Sequence, residues 1–232
     1  MITLALDTST DRGAVALLQD GQPPVEIAFS RGGAMASDAD QHLFGAIQQA
    51  LRQQRLAARD IELVAVGIGP GSFTGIRVAI AAAKGLALPC ARPIMAVSSF
   101  DALALTVLPQ TPTECIQMCL LCDARRNEVY SASYDRAGRC GRDCRITALE
   151  QLVKAVAAPT WFVSAEMDKY FCDALRKFSN RFVHIAGASL YPSATAVGQL
   201  AQKRFHEGTD GSGRRLEPIY LRAADYRKIT DD

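Results

Sequence analysis

Charge of one sign is what this chain conspicuously lacks. Its 232 residues carry 26 lysines and arginines against 24 aspartates and glutamates, a formal net charge of +2. Proteins that grip nucleic acid through bulk electrostatics are strongly basic, so the composition speaks against unaided nucleic-acid binding. Histidine is scarce: His42, His184 and His206 form neither an HxxxH nor an HExxH spacing, which removes a helical metal pair. No GxSxG elbow occurs, and no base stands beside Ser72 in sequence. No apolar run reaches 18 residues without a charge; Lys84 interrupts the longest candidate, Ile76 to Leu88. The opening MITLALDTST has no basic segment, apolar stretch or small-residue cleavage site of an export signal. The expectation is a soluble cytoplasmic protein with no membrane role. Seven cysteines, an odd number, lie in apolar runs such as Cys115 to Cys122. Buried thiols are expected rather than a disulfide framework. Cys119 and Cys122 are three apart on a predicted strand, on opposite faces, so they do not converge on zinc.

What is present is an apolar half (49%) large enough for a core. Ile2 to Leu6, Gly13 to Leu18 and Val25 to Phe29 read as three strands joined by tight turns. Helical spacing follows. Ser37 with Asp40 resembles a capping box, and Leu43, Ile47, Ala50 and Leu51 recur on one face. Ile61 to Ile68 is a buried strand, and a glycine-rich turn then leads into a helix that stops at Pro89. Ile94 to Val97 is a strand, followed by a helix through Ala104 capped by Ser98 or Ser99. The order βββαβαβα over residues 1–108 fits a ribonuclease-H-like unit with a mixed five-stranded sheet. Residues 109–112 read as a linker. In residues 113–232, Gln117 to Leu121 ends at Asp123 and Glu128 to Tyr134 follows, repeating the opening: strand, Asp, polar turn, strand. Helices around Ala148–Ala157, Met167–Phe178 and Ser193–His206 complete a shorter, degenerate second unit, the last packing back on the first. The fold class expected is α/β and actin-like: a duplicated ribonuclease-H-like architecture with two subdomains around a cleft.

Two segments could carry binding chemistry. Asp7-Thr8-Ser9-Thr10, echoed by Asp123, offers hydroxyls and backbone N–H groups to a phosphate, or serves as a strand-ending turn satisfying its own backbone. The loop Gly69-Pro70-Gly71-Ser72-Phe73-Thr74-Gly75 delivers N–H groups to a helix start, an anion site or simply a tight turn. It is neither a Walker A loop nor a Rossmann fingerprint. The helix from Gly75 to Leu88 has only Arg77 and Lys84 as charges. A helix apolar nearly all round is covered on both sides, by its own sheet and by a partner or by the rest of the chain. Ala79, Ala82, Ala83 and Gly85 would let a partner helix approach closely. Arginines 125, 126, 136, 139, 142 and 145 form one basic stretch, and Arg214, Arg215, Arg222, Arg227 and Lys228 another. Either is a solvated surface or an RNA-facing patch.

The segments ALDTST at the start, GPGSFTGIR at 69–77, AKGLAL after it, AVSSFDALA at 96–104, DARRNEVY at 123–130 and EPIYLR at 217–222 together resemble the TsaB (YeaZ) family, in order along nearly the whole chain. Where many members have a His-Ser/Thr-Glu/Gln pattern at the first helix, this chain has Ser37 to Gln41, with His42 later. The resemblance implies a non-catalytic subunit of tRNA threonylcarbamoyladenosine formation. Its TsaD-like partner would transfer the threonylcarbamoyl group to tRNA adenosine, and a TsaE-like ATPase would join the pair. It implies pairing with TsaD, or with a second copy when alone, through the first two helices, with Leu43, Ile47, Arg77, Ala79, Ala82, Ala83 and Gly85 as the interface. It implies tRNA contact only through the complex, no catalytic residue and no metal. No cofactor is required. The cleft residues Asp7, Thr8, Ser9, Thr10, Gly69, Gly71, Ser72 and Asp123 would be a vestigial nucleotide site, with weak ATP or ADP binding there or at the partner interface. The competing expectation is an actin-fold, kinase-like ATP-dependent enzyme or a homologue of M22-type peptidases.

Overall fold

A computed structural model describes residues 1–30, 38–167, 171–178, 182–212 and 216–219. The Ser37 cap, the second basic stretch from Arg214 to Lys228 and the end of EPIYLR fall outside the described residues.

Strands β1 (Ile2–Asp7), β2 (Arg12–Gln19) and β3 (Val25–Ser30) pair antiparallel in sequence. Helix α1 (Asp38–Gln53) follows, then β4 (Leu63–Gly67), α2 (Phe73–Ala87), β5 (Ile94–Val97) and α3 (Ser99–Val107). Strands β4 and β5 add parallel on the other side of β1, giving the order β3-β2-β1-β4-β5. The second sheet repeats this plan. Strands β6 (Gln117–Asp123), β7 (Glu128–Asp135) and β8 (Cys140–Ala148) are antiparallel, and after α4 (Leu149–Lys154) the strand β9 (Thr160–Ser164) lies parallel to β6. Helix α5 (Cys172–Phe178) and strand β10 (Val183–Ile185) complete the order β10-β9-β6-β7-β8, and α6 (Ala194–His206) closes the described helices. Asp7 and Asp123 are each the last residue of the first strand of their sheet.

The second half is more regular than the sequence reading expects, with β8, β9 and β10 added. β8 was legible only as a basic stretch because it is an edge strand. Its residues Cys140 to Asp143 are exposed, so no apolar run announces it.

Side-chain alternation distributes the first sheet between two cores. Leu4, Leu6, Val15, Leu17, Val64 and Val66 pack beneath α1 and α2 with Leu43, Ile47, Ile76 and Ile80. On the other face Ala5, Ala14, Ala16 and Ala65, with Leu63 and Met95, meet α3 and α6. Small residues let α6 sit close: a Cβ on Gly198 would overlap the Leu18 side chain. Asp101 of α3 ties the halves together, accepting from Tyr134 Oη of β7 at 2.9 Å and from Arg204 Nη2 of α6 at 2.6 Å.

Helix α2 ends at Ala87 and runs directly into the 3₁₀ turn Leu88–Cys90, which contains Pro89. Phe73–Cys90 reaches the length and mean hydropathy (1.3) of a membrane span, but Ile76, Ala79, Ile80, Ala83 and Ala87 are buried in the core shared with the sheet. The chain then turns through Ala91, which is exposed and left-handed with φ +49°. An L side chain there costs about 1–2 kcal/mol, less the extra chain entropy of glycine. Ala91→Gly is therefore expected to raise stability by about 0.5–1 kcal/mol, read as a higher urea midpoint with unchanged slope.

Candidate functional site

A cleft of about 570 Å³ lies where the two strand–Asp–turn units meet, lined by Ser9, Thr10, Asp11, Gly71, Ser72, Phe73, Thr74, Cys122, Asp123, Ala124, Arg125, Tyr130 and Glu166. Of the residues expected there, Ser9, Thr10, Gly71, Ser72 and Asp123 are brought together. Asp7, Thr8 and Gly69 are not. They form the buried layer behind the cleft wall, and this corrects the expectation that they face a ligand.

The reason is local hydrogen bonding. Asp7 is 2% exposed. Its Oδ1 accepts from Ser9 N at 2.8 Å and Ser9 Oγ at 2.6 Å, and its Oδ2 accepts from Ser99 Oγ at 2.7 Å. Ser99 Oγ in turn accepts from Gly69 N at 3.1 Å. Thr8 Oγ1 donates to the Gly75 carbonyl at 2.6 Å, pinning the β1 turn to the start of α2. The glycine loop is held from the same side, with Ser72 N donating to the Ser9 carbonyl at 2.6 Å. Gly71 must be glycine, since a Cβ would overlap that carbonyl, and so must Gly67, where a Cβ would overlap the Asp7 carboxylate. Strand-ending turn and glycine loop are thus one hydrogen-bonded unit.

At the helix start, Ser72 Oγ already accepts from Gly75 N at 3.2 Å, so one of the N–H groups that would meet an anion is taken. The opposite wall is acidic. Glu166 Oε2 accepts from Asp123 N at 2.8 Å, and Asp123 pairs with Arg125 at 3.1 Å. A polyphosphate entering the cleft meets Asp11, Asp123 and Glu166, with Arg125 as the one lining cation among the described residues. Hydroxyls and carboxylates suit a polar or cationic group better.

Glu166 escaped the sequence reading because it follows β9, itself unread, and no motif surrounds it. Burial holds its carboxyl above the ordinary carboxylate range; the Asp123 N–H bond works against this and the Asp123 charge adds to it. A raised folded pKa means ionisation opposes folding, so the protein loses stability as pH rises through the folded value. Glu166→Gln keeps an acceptor for Asp123 N without the charge. It is expected to melt higher than wild type at pH 7, with the difference vanishing below the ordinary glutamate range. Equal melting curves at both pH values would refute this.

The interface residues divide differently from expectation. Leu43, Ile47, Ala79, Ala82 and Ala83 are 0, 3, 0, 6 and 0% exposed, inside the chain's own core; Arg77 and Gly85 face outward. The phase of α2 is set by Ile76, Ile80, Ala83 and Ala87, which turn the small residues inward. What α2 presents to solvent is Phe73 (54% exposed), Thr74, Arg77, Ala81, Lys84 and Gly85, with Leu88 (73%) just past its end and Arg77 stacked 3.8 Å over the Phe73 ring. Phe44 of α1 is also exposed, at 47%. Among the described residues no three His, Cys, Asp or Glu side chains are grouped for a metal.

The family model described as "TsaD: tRNA N6-adenosine threonylcarbamoyltransferase" matches residues 34–207. The tRNA threonylcarbamoyladenosine biosynthesis protein TsaB of Escherichia coli is 27% identical over 96% of this chain and 95% of its own. TsaB of Haemophilus influenzae is 28% identical over 94% and 92%. Among solved structures, YeaZ from Pseudomonas aeruginosa superposes with a TM-score of 0.78 at 27% identity, covering 95% of this chain and 99% of its own. The ADPNP-bound activator of 2-hydroxyisocaproyl-CoA dehydratase from Clostridium difficile, at 12% identity and a TM-score of 0.53 over 90% and 97%, shares the actin-like fold.

Proposed function

The chain belongs to the TsaD-type tRNA N6-adenosine threonylcarbamoyltransferase family, and we propose that within it this protein is a non-catalytic, TsaB-type subunit of tRNA threonylcarbamoyladenosine formation. The observation that carries the reading is the end-to-end likeness to proteins named TsaB, more than nine-tenths of both chains in each case. The sequence adds the lack of any HxxxH pair. In this reading a TsaD-like transferase does the chemistry in the cytoplasm, a TsaE-like ATPase joins the pair, and tRNA is reached through the complex. The outward face of α1 and α2 supports a docking role. Phe44, Phe73 and Leu88 are large apolar side chains left in water, and such a surface is stabilised when a partner, or a second copy, covers it. No cofactor is required; the acidic cleft wall fits weak ATP or ADP binding at most.

Reconstitution tests it. Purified alone, the chain should leave ATP and unmodified tRNA unchanged. With a TsaD-type transferase, a TsaE-type ATPase and threonylcarbamoyl-adenylate, modified tRNA should accumulate only when the chain is present. ATP turnover by the chain alone, lost in Asp123→Ala, would sink the proposal, as would full modification without it.

A further inference from the structure

The six arginines between 125 and 145 do not form one basic surface. Arg125 pairs with Asp123, and Arg139 with Asp135 at 2.9 Å. Arg136 Nη1 donates to the carbonyls of Pro112 and Cys115 at 2.8 and 2.6 Å. Arg142 and Arg145 differ: among the described residues neither guanidinium has a hydrogen bond or ion pair, and both line a pocket of about 420 Å³ on the outer face of the second sheet.

Their meeting there is a product of strand geometry. Residues three apart on a regular strand point to opposite faces. Arg145 is paired with Ser131 and Arg142 with Ser133, and a register shift lies between the two pairs. Ser131 and Ser133 are two apart and share a face, so the extra residue in β8 puts both arginines on that face as well. Cys119 of β6 pairs with Ser133 and belongs to the same row. Its thiol is pushed up to about 12 by burial, while Arg145, Ser133 and Arg142 pull against that, so the field of both guanidiniums reaches the pocket floor. Opposite them the pocket is apolar: Phe162 (0% exposed), Leu152 (8%), Val156 and Ile116. Gln117, Ser133 and Thr160 supply neutral polar groups. The one lining carboxylate among the described residues, Asp135, is bonded to Arg139.

We propose that this pocket binds a small organic anion, a carboxylate or phosphate on an apolar body, with Arg142 and Arg145 taking the anion and the side formed by Ile116, Leu152 and Val156 taking the body. Two guanidinium forks suit a planar or tetrahedral oxyanion, and the volume is within the ordinary range for small-molecule sites. The site is separate from the cleft and independent of the role in tRNA modification.

Isothermal titration of the whole protein at low salt decides the matter, with hexanoate and hexyl phosphate as probes and 1-hexanol and inorganic phosphate as controls. At least one tailed anion should bind saturably with one-to-one stoichiometry. The tighter of the two identifies the head group. Each control should be about tenfold weaker or more, and Arg142→Gln/Arg145→Gln should weaken the tailed anion by about tenfold or more with an unchanged melting temperature. No saturable binding by either tailed anion overturns the proposal. So does hexanol binding as tightly as hexanoate, or undiminished binding by the double variant. Phosphate equal to hexyl phosphate overturns the apolar half. The comparison with hexanol needs no variant, so it stands even where the substituted protein folds poorly.

Discussion

Replacing Asp7 with Ala should destabilise the protein by about 3 kcal/mol, lowering the melting temperature by about 10 °C for a chain of this size. The carboxylate is 2% exposed and accepts from Ser9 N, Ser9 Oγ and Ser99 Oγ. Removing it leaves those buried donors without their acceptor and opens a void behind the cleft wall. Ser99 also holds Gly69 N, so the loss spreads from the β1 turn to the glycine loop and the N-terminus of α3. Asp7→Asn should fall between the two. It preserves the volume, but an amide NH₂ then faces a donor on one side. Denaturant unfolding of the three proteins gives the ranking. A wild-type-like midpoint for Asp7→Ala would mean that the carboxylate serves a ligand and not the fold.

The second large effect concerns association. Ala81→Arg should weaken capture of the proposed TsaD-type partner by about 100-fold or more while leaving the melting temperature within a degree or so of wild type. Ala81 is exposed on α2, between the Phe73–Arg77 stack and Leu88. A long cation without a counter-charge at the centre of a closed interface costs several kcal/mol, on the order of 3, and 1.4 kcal/mol is tenfold in affinity. In the free chain the same side chain points into water and costs little. Ala82→Arg, one position on, should do the reverse. Ala82 is 6% exposed within the core shared with α1, so the variant should lose folded protein before it loses a partner. Light scattering, pull-down and thermal melting on both variants separate the cases. Unchanged capture by Ala81→Arg would remove α2 from the interface.

The first sheet was legible because each strand is a short aliphatic run closed by polar turns. The cap at Ser98 is also local: Ser98 Oγ accepts from Phe100 N. The repeated strand–Asp–turn showed the duplication. The phase of α2 was not legible, since alanine and glycine fill its inner and outer faces alike and composition cannot tell a core alanine from a surface one. Nor was the burial of Asp7, because a carboxylate at a strand end looks the same whether it meets a ligand or the hydroxyl of a serine 92 residues away. Arg142 and Arg145 read as surface charge because their convergence depends on a bulge that no residue type marks.

The unequal faces of the first sheet bear on how the chain is made. The face rich in leucine and valine is covered by α1 and α2, both drawn from the residues next to its strands. The alanine face is covered in part by α3 and is completed only by α6, which begins at Ala194. At about 5–20 residues per second the ribosome needs on the order of ten seconds to add that helix after β4 has emerged. Through that interval the uncovered side of the sheet carries alanine methyls with Leu18, Leu63, Met95 and Val97 among them, a smaller apolar surface for a neighbouring nascent chain than the leucine, isoleucine and valine cluster already under cover on the other face.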